Sequence, residues 1–544
     1  MKKYANQFLI MLCLLSATRL VSVAQVASVD SLETTFLNWH NQDVELDRVP
    51  GIATERVYRE LLVNRKPQKE IVVAIIDSGI DIYHEDLEGK IWMNKDEIAD
   101  NGQDDDGNGY VDDIYGWNFI GNKDGENIQF ENFEYTRLYK RYNDRFENVL
   151  SSSDLAEEHR DEYRTYKKSK DLYIKNLSKY QKEKEGISMF EEIFQTAKDI
   201  VKSETGVNPS SIKDLKSIRT KSKRTSSAIS FLIEKYKMGL TEDKLNEYKS
   251  HNEECLTKHL NTDFNPREII GDDPFDIADV NYGNNNVKGP RADHGTFVAG
   301  LVAANRNNGI GINGIADHVK VMALRTIPKG DEYDKDVALA IRYAVDNGAD
   351  IINMSFGKQL SPNKEFVDEA IRYAESKNIL MVHASGNSGI NVDKESRFPS
   401  DACTDGYEVK PWLNVGASTK YKTVSIAAEF SNYGKNNVDL FAPGKDIISL
   451  EPENKYSMND GTSWSSPIVA GVAALVWSHY PELSATQLKE ILLKSSYKVQ
   501  KPKVYVPAED VEKRDKAKFN QLSVSGGIVN AYRAFKLAEK TTSK

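Results

Sequence analysis

A serine, a histidine and an aspartate stand at the boundaries of regular elements in this sequence, and those three side-chain types together can perform nucleophilic acyl transfer. Ser463 follows Gly461-Thr462 and opens a run rich in small apolar residues, SWSSPIVAGVAALV. The run reads as a loop turning into a buried helix. Unpaired N–H groups and partial positive charge at a helix N-terminus suit a serine nucleophile with an oxyanion forming beside it. An N-capping serine is the structural alternative. Pro467 is expected in the first turn, where its missing N–H costs little. His294 opens a second small-residue helix, HGTFVAGLVAA. Its ordinary pKa near neutrality suits a general base, and a turn-capping histidine is the alternative. Asp77 closes the apolar run IVVAII and Asn387 follows ILMVHA-Ser-Gly. The Asp77 carboxylate could orient the histidine or simply cap a turn. The Asn387 amide can donate to a developing oxyanion, although asparagine is commonplace in glycine-flanked turns.

The elements that must hold these groups are legible as patterns. Ile71–Ile76 is a continuous apolar run, as in a strand buried on both faces, and Val319–Leu324, Ala349–Met354 and Ile379–Ala384 read as further strands. Amphipathic helices at Asp334–Asn347 and Lys364–Ser376 alternate with them. Alternating strands and helices imply a parallel sheet, whose functional groups gather at the carboxyl ends of the strands. Asp77, Ser355–Gly357 and Asn387 occupy such ends.

In chain order the blocks are DSGID (77–81), HGTFVAG (294–300), NMSFG (353–357), ASGN (384–387) and GTSWSSP (461–467). This set resembles the signature of the subtilisin-like serine proteases, the subtilase family, over roughly residues 70–120 and 270–540; the aspartate–histidine–serine order is the familiar one of that family. The resemblance implies a three-layer α/β fold, a central, mostly parallel sheet with helices on both faces. It implies Asp77, His294 and Ser463 as the catalytic triad of a serine endopeptidase, and Asn387 as oxyanion donor. It also implies that Ser355, Phe356, Gly357, Ala384, Ser385 and Gly386 line the substrate pocket and pair with the substrate as an added strand. Phe297 stands where many members carry a second histidine, and Trp464 follows the nucleophile where methionine is common. The competing reading is a non-catalytic binding protein or adhesin on the same scaffold.

The remaining chain divides by composition. Residues 1–24 read as a signal peptide: Lys2 and Lys3, the apolar run Phe8–Leu15, then Ser22-Val23-Ala24. Residues 25–69 are a lead-in or short pro-segment, and 70–130 begin the peptidase domain. Within it, DDDGNGYVDD places Asp104, Asp106, Asn108 and Asp112 at the spacing of a calcium loop, without the final bidentate glutamate. A structural calcium ion is expected there, or else a solvated acidic loop; no catalytic metal is expected. Residues 131–263 form a charged insertion rich in tyrosine and poor in glycine, expected as a helical hairpin or small bundle. Helices are expected at Phe190–Glu204 and Ser226–Lys237. Residues 264–544 complete the peptidase domain. A net charge of −10 argues against nucleic acid as a partner and leaves protein or peptide substrates. No later stretch is apolar enough to span a membrane, and a secreted destination is expected. Cys255 and Cys403 could form one disulfide or remain separate buried thiols.

Overall fold

The computed structural model describes residues 36–500 and 502–543. The signal-peptide segment and the first part of the lead-in lie outside the described residues. Contacts divide the described residues into two compact units, residues 132–265 and, in the other, residues 36–131 with those from 266 onward.

The larger unit is built on a nine-stranded sheet. Its strands include β1 (Ile71–Asp77), β2 (Gly116–Asn118), β3 (Val319–Arg325), β4 (Ile351–Met354), β5 (Leu380–Ala384), β6 (Trp412–Ser418) and β7 (Leu440–Pro443). The spatial order is Tyr497–Lys498, Gly527–Ile528, β7, β6, β5, β4, β1, β3, β2. Every neighbouring pair is parallel except the outermost, Tyr497–Lys498 on Gly527–Ile528. An antiparallel hairpin, β8 (Ile447–Glu451) and β9 (Lys455–Asn459), stands apart from this sheet.

Alternation along β1 explains the layers. Ile71, Val73 and Ile75 enter one core with the helices Asp293–Ala303 and Thr462–Trp477. Ala74 and Ile76 enter the opposite core with the helices Asp334–Asp346 and Lys364–Ser376. A strand covered on both faces has no solvent side, so it reads as an unbroken apolar run. The architecture is three-layer α/β, as expected. Trp39, Ile52 and Val57, from the segment before β1, are fully buried in the first core, so the described part of the lead-in is built into this unit. Among the described residues no helix is long and apolar enough to cross a membrane.

The second unit, residues 132–265, is helical. The helix expected at Phe190–Glu204 is the last part of one helix of 46 residues, Arg160–Thr205, about 69 Å long at 1.5 Å per residue. Gly186 lies inside it, because a single glycine in a helix interior is a modest cost. Ile187, Phe190, Phe194 and Val201 pack with Leu215, Leu232 and Leu245 from the three later helices, Ile212–Ser217, Lys223–Lys237 and Glu242–Glu254. A smaller cluster of Phe146, Tyr163 and Tyr166 joins its first half to the helix Glu134–Phe146. No disulfide links Cys255 and Cys403; both are buried, and Cys403 is a thiol.

Candidate active site

Asp77 ends β1 and His294 opens the helix Asp293–Ala303. They meet because Gly295 has no side chain: a Cβ there would lie 2.2 Å from the carbonyl oxygen of Gly79. The His294 Nδ1 lies 2.7 Å from Oδ1 of the buried Asp77 carboxylate. That same oxygen accepts the Ser78 N–H at 2.7 Å. Burial disfavours the charged imidazolium of His294, but the adjoining Asp77 carboxylate outweighs it, and the pKa is raised above the usual histidine value.

Ser463 lies in the first turn of the helix Thr462–Trp477, the central helix of the first core. Its hydroxyl donates to the Ser355 carbonyl at 3.0 Å, directly after β4. Pro467 is the sixth residue of this helix, not part of the first turn as the sequence suggested. A proline there cannot donate to the carbonyl four residues back, which is that of Ser463. The Ser355 hydroxyl supplies the missing donor, 2.9 Å from the Ser463 carbonyl oxygen. Ser355 is itself held by the Asn353 amide at 3.0 Å and the Ser466 hydroxyl at 2.8 Å.

Asn387 follows β5 and is oriented by Thr462. Its Oδ1 accepts the Thr462 N–H at 2.8 Å and the Thr462 hydroxyl at 2.9 Å, which leaves Nδ2 turned toward Ser463. The loop carrying it is organised by Asn432, a residue the sequence patterns did not single out. The Asn432 side chain donates to the Ser385 carbonyl at 2.7 Å and accepts from Ser388 N–H at 2.9 Å. Gly386 needs φ +96° here, and a Cβ would press within 2.6 Å of the Asn432 amide.

The two strand ends expected to bind substrate flank Ser463. Phe356 and Gly357 continue from Ser355, with the Phe356 carbonyl within 2.9 Å of His383 Nε2. Burial lowers the pKa of His383 to about 4, so it is neutral near pH 7. Ala384 and Ser385 are buried at the end of β5, with Gly386 half-buried beyond them. Behind His294 lie two aromatic rings: the Trp464 ring is 4.8 Å from the imidazole, and Phe297 is 4.0 Å from Trp464. Glu451, at the end of β8, also feels His294 and Asp293. Burial pushes its pKa up to about 7, against the weaker lowering effect of the Ser457 hydrogen bond.

The acidic loop folds differently from its spacing. Asp104 caps its own turn by accepting the N–H groups of Asn108 and Gly109 at 3.0 and 2.8 Å. Asp112 accepts those of Asn101 and Gly102 at 3.0 and 2.9 Å. The carboxylates that converge are Glu97, Asp106 and Asp113, with one oxygen from each within 4.8 Å of the others. Asn108 joins them through its amide, which donates to Asp106 at 3.1 Å and Asp113 at 3.0 Å. Asp104 is engaged by a local cap four and five residues on, and Asp112 by main-chain donors ten and eleven residues back. Glu97 precedes the motif, and Asp113 follows the position that spacing marked. Glu97 Oε2 is buried without a hydrogen-bond partner, and burial, then the nearby carboxylates, raises its pKa. An all-oxygen anionic set with an orphaned buried oxygen fits a hard divalent cation.

A parallel α/β sheet with an Asp–His pair, a serine at a helix start and an asparagine amide at adjoining strand ends defines the architecture of a serine hydrolase. Comparison with protein families matches residues 68–522 to the subtilase family, peptidase S8, and the chain belongs to that family. It is 38% identical over 205 residues to a thermophilic serine proteinase of Bacillus sp. (strain AK1), a match covering 38% of this chain and 46% of that protein. It is 36% identical over 202 residues to subtilisin DY of Bacillus licheniformis, covering 37% of this chain and 68% of the relative. The chain thus spans about half the length of the first of these relatives. Among solved structures, a protease from Pseudoalteromonas arctica PAMC 21717 overlaps 45% of this chain and 70% of its own, at 29% identity and a TM-score of 0.36.

Proposed function

We propose that this protein is a serine endopeptidase that cleaves proteins or peptides through Asp77, His294 and Ser463. The observation that carries the reading is the 2.7 Å contact between His294 and the buried Asp77, with the His294 ring 4.8 Å from that of Trp464, the residue after Ser463. Catalysis requires the Ser463 hydroxyl to leave the Ser355 carbonyl and meet His294 Nε2. Catalytic hydrogen bonds commonly tighten only with substrate bound. Ser463 Oγ attacks the peptide carbonyl carbon while His294 takes the hydroxyl proton. The carbonyl π electrons move onto oxygen, which the Asn387 amide and the Ser463 N–H stabilise. Collapse expels the amine, which receives the proton from His294 and leaves an acyl-enzyme; water then repeats the sequence to release the acid. Asp77 holds the imidazole in the required tautomer and stabilises its cation. Ser355–Gly357 and Ala384–Gly386 receive the substrate as an added strand.

Glu97, Asp106 and Asp113, with Asn108 behind them, would hold a structural calcium ion that neutralises the crowded carboxylates and ties the loop to the sheet. The N-terminal leader pattern supports action outside the cytoplasm. A fluorophosphonate probe tests the peptidase reading. Wild type should be labelled and Ser463→Ala should not; an unlabelled wild type, with and without added calcium, would favour the binding-protein reading. Calcium should raise the melting temperature of wild type and leave that of Glu97→Gln/Asp113→Asn unmoved.

A further inference from the structure

We propose that Trp464 is a catalytic residue whose indole N–H is a third donor to the oxyanion; the inference rests on the peptidase reading above. Trp464 is 6% exposed, and its Nε1 is buried with no hydrogen-bond acceptor. A buried donor without a partner is costly, and a stable fold avoids leaving one without cause. This one lies beside the nucleophile, against Gly461. A Cβ on Gly461 would lie 3.3 Å from Trp464 Nε1, 3.6 Å from Asn387 Nδ2 and 3.7 Å from the Ser463 amide nitrogen. Apart from Gly461 and its two chain neighbours, the three atoms nearest that point are nitrogens, and a side chain on Gly461 would crowd them.

Each donor is held independently. The Asn387 amide is oriented by Thr462, whose N–H and hydroxyl both bond to its Oδ1. The Ser463 N–H belongs to the first turn of the helix, where intrahelical acceptors are lacking. The indole is clamped between Phe297, with ring centroids 4.0 Å apart, and His294 at 4.8 Å. Trp464 thus backs the imidazole with its ring and turns its N–H toward the forming oxyanion. As Ser463 Oγ bonds to the carbonyl carbon, the oxygen gains the negative charge. The indole keeps its proton and stabilises that charge without transferring it. A donor already fixed and shielded from water needs no reorganisation as the charge develops.

The test uses the full-length protein with 3-benzothienylalanine at position 464, an isostere that keeps the bicyclic ring and replaces N–H by sulfur. Asn387→Ala serves as the benchmark for loss of one donor, on the order of 10²–10³ in kcat. The isostere should lower kcat on a peptide anilide about ten- to a hundredfold with KM unchanged. It should weaken a peptide aldehyde, which forms an oxyanion on Ser463, by the same factor, and leave the affinity of a product peptide and the pH profile as in wild type. A purely structural role for Trp464 predicts the reverse, an isostere with wild-type kcat and aldehyde affinity, and that result overturns the proposal. Trp464→Phe gives the same comparison if the isostere does not accumulate. A wild type that neither hydrolyses peptides nor labels with fluorophosphonate overturns the peptidase reading together with this one, which separates the two failures.

Discussion

The helix that carries Ser463 contains its own defect, and the compensation can be measured. Pro467 leaves the Ser463 carbonyl without its helical donor, and the Ser355 hydroxyl fills the vacancy at 2.9 Å. Ser355→Ala deletes that donor in a position only 3% exposed and also strands the Asn353 amide and the Ser466 hydroxyl. Leaving buried polar groups unmatched costs about 1–3 kcal/mol. Restoring an N–H with Pro467→Ala should return the part that belongs to the Ser463 carbonyl, roughly 1 kcal/mol, and leave the Asn353 and Ser466 part unrepaired. The two substitutions should therefore couple, with Ser355→Ala about 1 kcal/mol less damaging in the Pro467→Ala background. Urea unfolding of the four proteins reads the cycle. Ser355→Ala keeps the main-chain carbonyl that accepts the Ser463 hydroxyl, so fluorophosphonate labelling can be followed in the same samples. Strict additivity, within about 0.3 kcal/mol, would refute the claim that the serine and the proline are two halves of one arrangement.

Other substitutions read the electrostatics and the modularity. Asp77→Asn should move the acid limb of the pH–rate profile to lower pH, because the carboxylate that raises the His294 pKa is gone. It should also lower kcat by on the order of 10⁴, since an asparagine in that place favours the wrong imidazole tautomer. Folding raises the His294 pKa, so that contribution to stability is complete below the ordinary histidine value and lost as pH rises through the raised one; Asp77→Asn should flatten that slope in chemical denaturation. Glu451 has the opposite chemistry with the same sign. Its pKa is raised from 4.5 to about 7, so the native state holds a proton the unfolded chain has released, and stability falls as pH rises across that window. Glu451→Gln should match wild type near pH 4 and exceed it above pH 7 by at most about 3 kcal/mol; equal stability at both ends would contradict the burial argument. Residues 132–265 enclose an apolar core of their own. Expressed alone, that segment should give a helical circular dichroism spectrum and a cooperative melt, whereas a broad, non-cooperative loss of signal would show that it needs the rest of the chain.

Local signals carried the peptidase blocks. The apolar run before Asp77 and the small-residue helices after His294 and Ser463 are written in consecutive residues, because a strand covered on both faces and a tightly packed helix each impose composition on their own stretch. The alternation of such runs was enough for the layered fold. Tertiary structure decided what depends on segments that meet only after folding. Ser355 and Ser466 touch across 111 residues of chain, and Asn432 reaches back 47 residues to the Ser385 carbonyl. Neither contact has a periodicity to betray it. The acidic loop shows the limit of spacing most clearly. Asp104 and Asp112 accept main-chain N–H groups, and the carboxylates that converge are Glu97, Asp106 and Asp113. For Asp104 the reason is local: its cap closes within five residues, at small entropic cost. The indole of Trp464 belongs to the same class: its place after Ser463 is plain in the sequence, but only packing against Phe297 and His294 gives its N–H a direction.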